Sequence, residues 1–321
     1  MSNGSNESVL SRTWAVVILA VVSCALWGSA FAVVKTGYAM FGIPSNSPSG
    51  QLLFAGLRFS LAGVFVLLGT TIAHRRFPVP TRSDVAPIAL LALSQTALQY
   101  APFYIGLAHA SGTNASLVQG TSAFVQIILA SLVFRQERLT GRKVMGCLMG
   151  VGGVALVTLR GGEVLGTWSF LGEGLVFASV VAGGCAACLM RRYGVSGDPL
   201  MLTGWQFMGG GLTLVAIGLL LGGRIGSCSP AALGVLSYLG MLSAVAFSLW
   251  SLLLKHNPVS RVAIYRFFIP TFGVLFSVLF LGELIPEEQL PFLVLALGLI
   301  VAGTVLVNTE RTRPDPAQGA G

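Results

Sequence analysis

The chain has 321 residues, of which 54% are hydrophobic and only 9% charged, with a formal net charge of +8 and a mean hydropathy of +0.82. A soluble domain needs roughly 25% charged residues to face water, so this composition excludes a soluble globular protein and makes lipid the solvent. Five cysteines, most of them inside apolar runs, suit small packing residues better than a disulfide framework.

Ten apolar segments of bilayer-spanning length are predicted, near 14–34, 51–72, 86–107, 111–133, 143–159, 168–190, 199–221, 231–254, 259–281 and 289–308. The first is longer than the ~7–15-residue core of a signal peptide, so it reads as a span. It carries "LWGSAF", with Trp27 mid-span beside Gly28 and Ser29, a poor position for an interface anchor. Span two carries "GLRF" at 56–59, which places Arg58 about seven residues from the outer end. Span three aligns Gln95, Gln99, Pro102 and Gly106 at helical spacing, with Tyr104 nearby. Span four holds Asn114 and a second polar and small stripe, Ser111, Ala115, Gln119, Ser122 and Gln126. Such stripes face the interior of a bundle, either as helix–helix adhesion or as the wall of a site. Span six holds Glu173, read as an interfacial charge, an ion-pair partner or a proton carrier. It also holds Cys185 and Cys188, whose CxxC spacing sits in an Ala- and Gly-rich helix and reads as packing. Span seven contains "GWQF" at 204–207, and span eight Trp250. Span nine aligns Tyr265 and Arg266 with Pro270, Gly273 and Ser277, a third stripe with a proline able to free backbone carbonyls.

The basic residues fix an expected orientation. With the N-terminus in the cytoplasm, fourteen of the nineteen Lys and Arg fall inside, three outside, and Arg58 and Arg266 within spans. An excess inside is the expected bias, so both termini are predicted to be cytoplasmic. The basic charge is then a topology signal, and no nucleic-acid partner is required.

Two phrases repeat. "FRQERL" at 134–139 and "FLGELI" at 280–285 close spans four and nine, with matched Phe, Glu and aliphatic positions, while "GLRF" echoes "GWQF". Each half has five spans, an odd number, so the second copy enters the membrane from the opposite side. Inverted repeats of this kind are a common construction of secondary transporters. Tyr104 and Trp250 fall at equivalent positions of the two copies, as do Gln119 and Tyr265.

With ten spans, two repeats, "LWGSAF", "GLRF" and the paired "F-x-x-E" phrases, the sequence resembles the drug/metabolite transporter superfamily and its EamA-type exporters, over about residues 14–308. The first copy departs from the usual Gly-Glu pair, reading Gln136-Glu137. The resemblance implies an all-α integral membrane fold of ten transmembrane helices in two inverted five-helix repeats. It also implies export of small metabolites, such as amino acids or related amphipathic compounds, across a cell inner membrane, without an ATP-hydrolysing domain. The expected organisation is a tail at 1–13, repeats at 14–160 and 161–308, and a tail at 309–321. The substrate-binding candidates are Trp27, Arg58, Gln95, Gln99, Tyr104, Asn114, Gln119, Trp250, Tyr265 and Arg266. Either arginine serves as an anchor for a substrate carboxylate or snorkels to an interface.

No GxSxG, HExxH or nucleotide-binding Gly-Lys loop occurs, and the three histidines lie near span ends. No catalytic residue, cofactor or metal is expected, and the partners are the lipid bilayer and a small-molecule substrate. Two other functions compete with the carrier: an integral-membrane enzyme on a lipid-linked substrate, and a passive channel. Substrate identity, direction, proton coupling, and monomer against homodimer stay open at this stage.

Overall fold

Helix starts are written in the same syntax three times. Ser47-Pro48, Asp198-Pro199 and Ser229-Pro230 each place a capping oxygen before a proline that has no N–H to waste. The Ser47 hydroxyl accepts from Gly50 N, Asp198 Oδ1 from Leu200 N at 2.9 Å, and Ser229 from Ala232 N. In the structure, a computed structural model that describes residues 9–44, 46–109, 118–159, 169–226, 228–281 and 290–309, all regular structure among these residues is helical.

In chain order the helices are α1 (Thr13–Met40), α2 (Pro48–His74), α3 (Arg82–Leu91), α4 (Leu98–His109), α5 (Ser122–Ile128), α6 (Gly141–Leu159), α7 (Leu175–Ser196), α8 (Pro199–Leu220), α9 (Pro230–His256), α10 (Val259–Ala263), α11 (Phe268–Leu281) and α12 (Leu290–Asn308). Helix α1 ends where Gly42 takes φ +62°. There Ile43 N donates to Tyr38 O at 2.9 Å and Gly42 N to Ala39 O at 3.2 Å, a Schellman cap that a side chain at Gly42 would strain.

Six helical stretches among the described residues are long and apolar enough to cross a membrane: Thr13–Ala30, Pro48–His74, Phe170–Ser196, Pro199–Leu220, Pro230–His256 and Leu290–Asn308. Three further stretches expected to span are interrupted. A wide π turn, Ala92–Ala97, separates α3 from α4, and another, Leu129–Val133, follows α5. Between α10 and α11 the chain tightens into a 3₁₀ turn, Ile264–Phe267. Proline supplies a reason in two places. Pro102 has no N–H for the carbonyl of Leu98, directly after the first π turn, and Pro270 has none for that of Arg266, inside the 3₁₀ turn.

Helix α2 packs along α8, α6 along α12, α1 between α9 and α11, and α4 against α7. The α2–α8 seam is a backbone contact. A Cβ on Gly56 would lie 2.5 Å from Val215 N and 2.8 Å from Gly211 O, and one on Gly211 would lie 2.5 Å from Ser60 N. On the same seam Phe59 stacks on Phe207, ring centroids 5.4 Å apart, so the phrases "GLRF" and "GWQF" meet face to face. The run of rings continues from Phe207 to Phe247, from Phe247 to Trp27, and from Trp27 to Trp250, each step 5.0 Å.

One end of the bundle is tied by polar groups. Glu137 pairs with Lys143 at 2.9 Å and accepts from the backbone N of Ser260 at 2.8 Å and from the Ser260 hydroxyl, capping α10 from across the bundle. Asn257, fully buried, donates to Leu10 O at 2.9 Å, and Arg191 donates to the carbonyls of Leu254 and Asn257. The 75–81 segment is pinned by Trp205, whose Nε1 donates to Pro78 O at 2.8 Å. Cys185 and Cys188 are free thiols in α7.

Candidate functional site

The interrupted stretches converge on one cavity, lined by Trp27 of α1, Gln95 of the first π turn, Gln99 of α4, Gln126 of α5, and Arg266 of the 3₁₀ turn. Gly183, Ala187 and Met190 of α7 and Phe247, Trp250, Ser251 and Leu254 of α9 complete the wall. In this conformation the space left for water-sized occupants is about 20 Å³, enough for a water or so rather than a metabolite. The site is contracted around its own side chains.

Arg266 dominates its electrostatics. Its guanidinium lies 5.3 Å from the centroid of the Trp27 ring and 5.8 Å from that of Trp250, within the range in which a ring quadrupole attracts a cation. Its Nε donates to Ser122 Oγ at 3.3 Å. Among the described residues, two that line the wall carry a buried polar atom without a hydrogen-bond partner: the Trp27 Nε1 donor and the Gln126 Oε1 acceptor. Ser251 on the wall is held by Thr203, whose hydroxyl contacts it at 2.8 Å.

Five of the ten sequence candidates therefore come together here: Trp27, Gln95, Gln99, Trp250 and Arg266. Arg58, Tyr104, Gln119 and Tyr265 do not line this cavity, and Asn114 lies outside the described residues. Arg58 is buried between α2 and α9, where its Nε donates to Ser243 Oγ at 3.0 Å and its guanidinium lies 5.2 Å from the centroid of its neighbour Phe59. A purely snorkelling arginine does not leave this pattern. Tyr104 sits in a ring cluster with Tyr38, Tyr100 and Phe103. Gln119 turns toward α7 and donates to Ser179 Oγ at 3.4 Å. Tyr265 is buried, and its carbonyl accepts from Cys24 Sγ at 3.2 Å.

The reasoning from sequence missed Phe247, Ser251 and Leu254, although they share helical spacing with Trp250, and Gly183, Ala187 and Met190, whose intervals of four and three mark one face of α7. Gln126 was legible only as a member of the span-four stripe.

Carboxylates are scarce, and the four described ones are all engaged at helix ends. Asp84 closes a capping box with Thr81, and Glu137 holds Lys143 and Ser260. Glu173 accepts from Ser169 N at 2.8 Å at the start of span six, and Asp198 caps α8. Among the described residues, then, neither Arg58 nor Arg266 pairs with a carboxylate. No three His, Cys, Asp or Glu side chains gather as a metal site among the described residues.

An all-helical chain with long apolar spans and a contracted polar and aromatic cavity between helices is the build of a membrane transporter. The comparisons agree: the EamA-like transporter family is matched twice, at residues 14–159 and 170–309, and the chain belongs to that family. It is 26% identical to an uncharacterized transporter of Archaeoglobus fulgidus over 269 residues, 83% of this chain and 89% of the relative. It is 24% identical over 301 residues to a protein of Streptantibioticus cattleyicolor named a probable terminal-alkyne amino-acid exporter, 92% of each chain. A solved crystal structure superposes with a TM-score of 0.73 at 19% identity, covering 92% of this chain and 96% of the other, a likeness of fold. The chain is a multi-pass membrane protein, a transporter rather than an enzyme.

Proposed function

We propose that this chain is a secondary active transporter that exports small amphipathic metabolites, amino acids or related compounds, across the inner membrane by alternating access. Ten spans form two inverted five-helix repeats, at 14–160 and 161–308, and the 75–81 and 135–140 loops lie on the cytoplasmic face with both ends of the chain.

The observation that carries this reading is the cavity, which draws Trp27, Gln95, Gln99 and Gln126 from the first half and Arg266, Trp250 and the α7 face from the second. A site shared between halves changes its exposure when one half rocks against the other. The packing supports the repeat. Numbering the spans one to ten, two packs on seven and five on ten, and the contact of one with eight is matched by that of six with three. The contact of one with nine is matched in turn by that of six with four. The amino-acid class is supported by the name of the Streptantibioticus relative and by the aromatic wall.

Cells expressing the chain, profiled for metabolites in the medium, are expected to release at least one amphipathic metabolite faster than cells expressing Arg266→Gln at equal membrane abundance. Equal release of every metabolite by the two strains would refute the assignment.

A further inference from the structure

The cavity wall is unbalanced in a way that specifies the charge of what it holds. Arg266 contributes one positive charge that two tryptophan rings and one serine hydroxyl surround, with no carboxylate among the described residues to neutralise it. A cation held away from water is costly unless paired. Among the described residues, Trp27 Nε1 is a buried donor without an acceptor and Gln126 Oε1 a buried acceptor without a donor, and both residues line the cavity. Buried polar groups are ordinarily satisfied, so an orphaned donor and acceptor on two residues that line one cavity point to a complementary ligand.

We propose that the ligand of this site is an organic monoanion. Its carboxylate pairs with Arg266 and accepts from Trp27 Nε1–H, and a neutral N–H or O–H elsewhere on the molecule donates to Gln126 Oε1. Its apolar body lies against Phe247, Met190 and Leu254. This rests on the carrier reading and narrows its substrate class to the related compounds without a free ammonium, such as N-acylated amino acids. A monoanion leaves the filled site neutral. A zwitterion brings an ammonium to a wall that offers it amide and hydroxyl oxygens, and the filled site keeps a net positive charge. A cationic ligand sets two positive charges side by side. The closed space in this conformation means that the anion enters as the wall parts, with Arg266 moving from the tryptophan faces to the carboxylate.

The test holds the body of the ligand constant and changes its charge. Purified full-length protein in lipid nanodiscs is titrated with N-acetylphenylalanine, phenylalanine, N-acetylphenylalanine amide and phenethylamine, read by tryptophan fluorescence, since Trp27 and Trp250 form part of the wall. The N-acetyl monoanion is expected to bind tightest, by about tenfold or more over the zwitterion, as expected for one charge-assisted hydrogen bond set left unbalanced. Arg266→Gln should erase that preference and Arg266→Lys should keep part of it, which separates loss of charge from loss of fold. Gln126→Leu should weaken N-acetylphenylalanine while leaving 3-phenylpropionate, which has no N–H to donate, unaffected. The proposal falls if the zwitterion, the neutral amide or the amine binds as tightly as the monoanion, if none of the probes binds, or if the preference survives Arg266→Gln. Counterflow of phenylalanine in proteoliposomes without any anion preference would sink this inference and leave the carrier reading standing. Binding of the monoanion without counterflow of any probe would do the reverse.

Discussion

Substituting Gly56 by alanine probes a close backbone approach between α2 and α8. The added methyl would sit 2.5 Å from Val215 N and 2.7 Å from Val215 Cγ2, roughly an ångström inside ordinary contact, and two of its three nearest neighbours are backbone atoms that cannot rotate away. Either α2 and α8 move apart or the backbone distorts, and overpacking of this kind costs about 1–3 kcal/mol. Alanine also raises intrinsic helix stability by about 1 kcal/mol over glycine, so a single variant mixes two effects of opposite sign. Gly69, in the same helix, has nothing within 4 Å of its virtual Cβ. Gly69→Ala therefore carries the propensity gain alone. The stability difference between the two variants isolates the seam and should be about 1–3 kcal/mol against Gly56→Ala, measured by reversible unfolding in mixed dodecyl maltoside and SDS micelles. Equal stability of the two would show that the helices do not meet at Gly56 as described.

Three further outcomes are expected. Glu137→Gln leaves Lys143 without its anion in a nearly buried position, a loss of about 3–5 kcal/mol, and Lys143→Met in the same chain should restore most of it; an additive double-mutant cycle would refute the pairing. In a background without native cysteines, Pro80→Cys should label with an impermeant maleimide only from the cytoplasm and Asn46→Cys only from outside, and the reverse pattern would overturn the orientation. Arg58→Gln should slow transport at unchanged membrane abundance, with Arg58→Lys recovering part of the rate, because lysine keeps the charge and loses the planar fork that reaches Ser243 and Phe59; a wild-type rate in Arg58→Gln would exclude a role in transport.

The sequence carried the features that depend on local chemistry. Apolar runs at 51–72, 199–221 and 231–254 placed α2, α8 and α9, and the echo of "GLRF" in "GWQF", read as a sign of the repeat, falls on the seam where Phe59 and Phe207 stack. Helical periodicity failed where the helices themselves change pitch. The stripe running from Gln119 to Gln126 assumes 3.6 residues per turn, but the chain turns at Thr121 before α5 begins. Ser122 and Gln126 consequently face Arg266 and the cavity, while Gln119 faces Ser179. Tyr265 and Arg266 are neighbours on a tight 3₁₀ turn and point apart, one into packed core and one to the site. Pitch still served in span three, where Gln95 and Gln99 stood out as a stripe, while Trp27 and Arg266 stood out by residue type and depth and Trp250 by its equivalence to Tyr104 in the repeat. Phe247 and Leu254 gave no such signal, because an apolar wall residue and an apolar core residue are alike in sequence.

The glycine seam also bears on ancestry. The same family pattern fits each half of the chain, and the helices that touch through Gly56 and Gly211 occupy corresponding places in the two fits. A contact between like surfaces is self-complementary, the kind that closes a two-fold dimer. If the halves are inverted as proposed, a half-length ancestor inserted into the membrane in both orientations would carry on each copy the glycine face that its opposite number requires. Duplication and fusion of its gene would then join two chains that already fitted, and only afterwards would the two copies be free to differ as Arg58 and Gln206 now do.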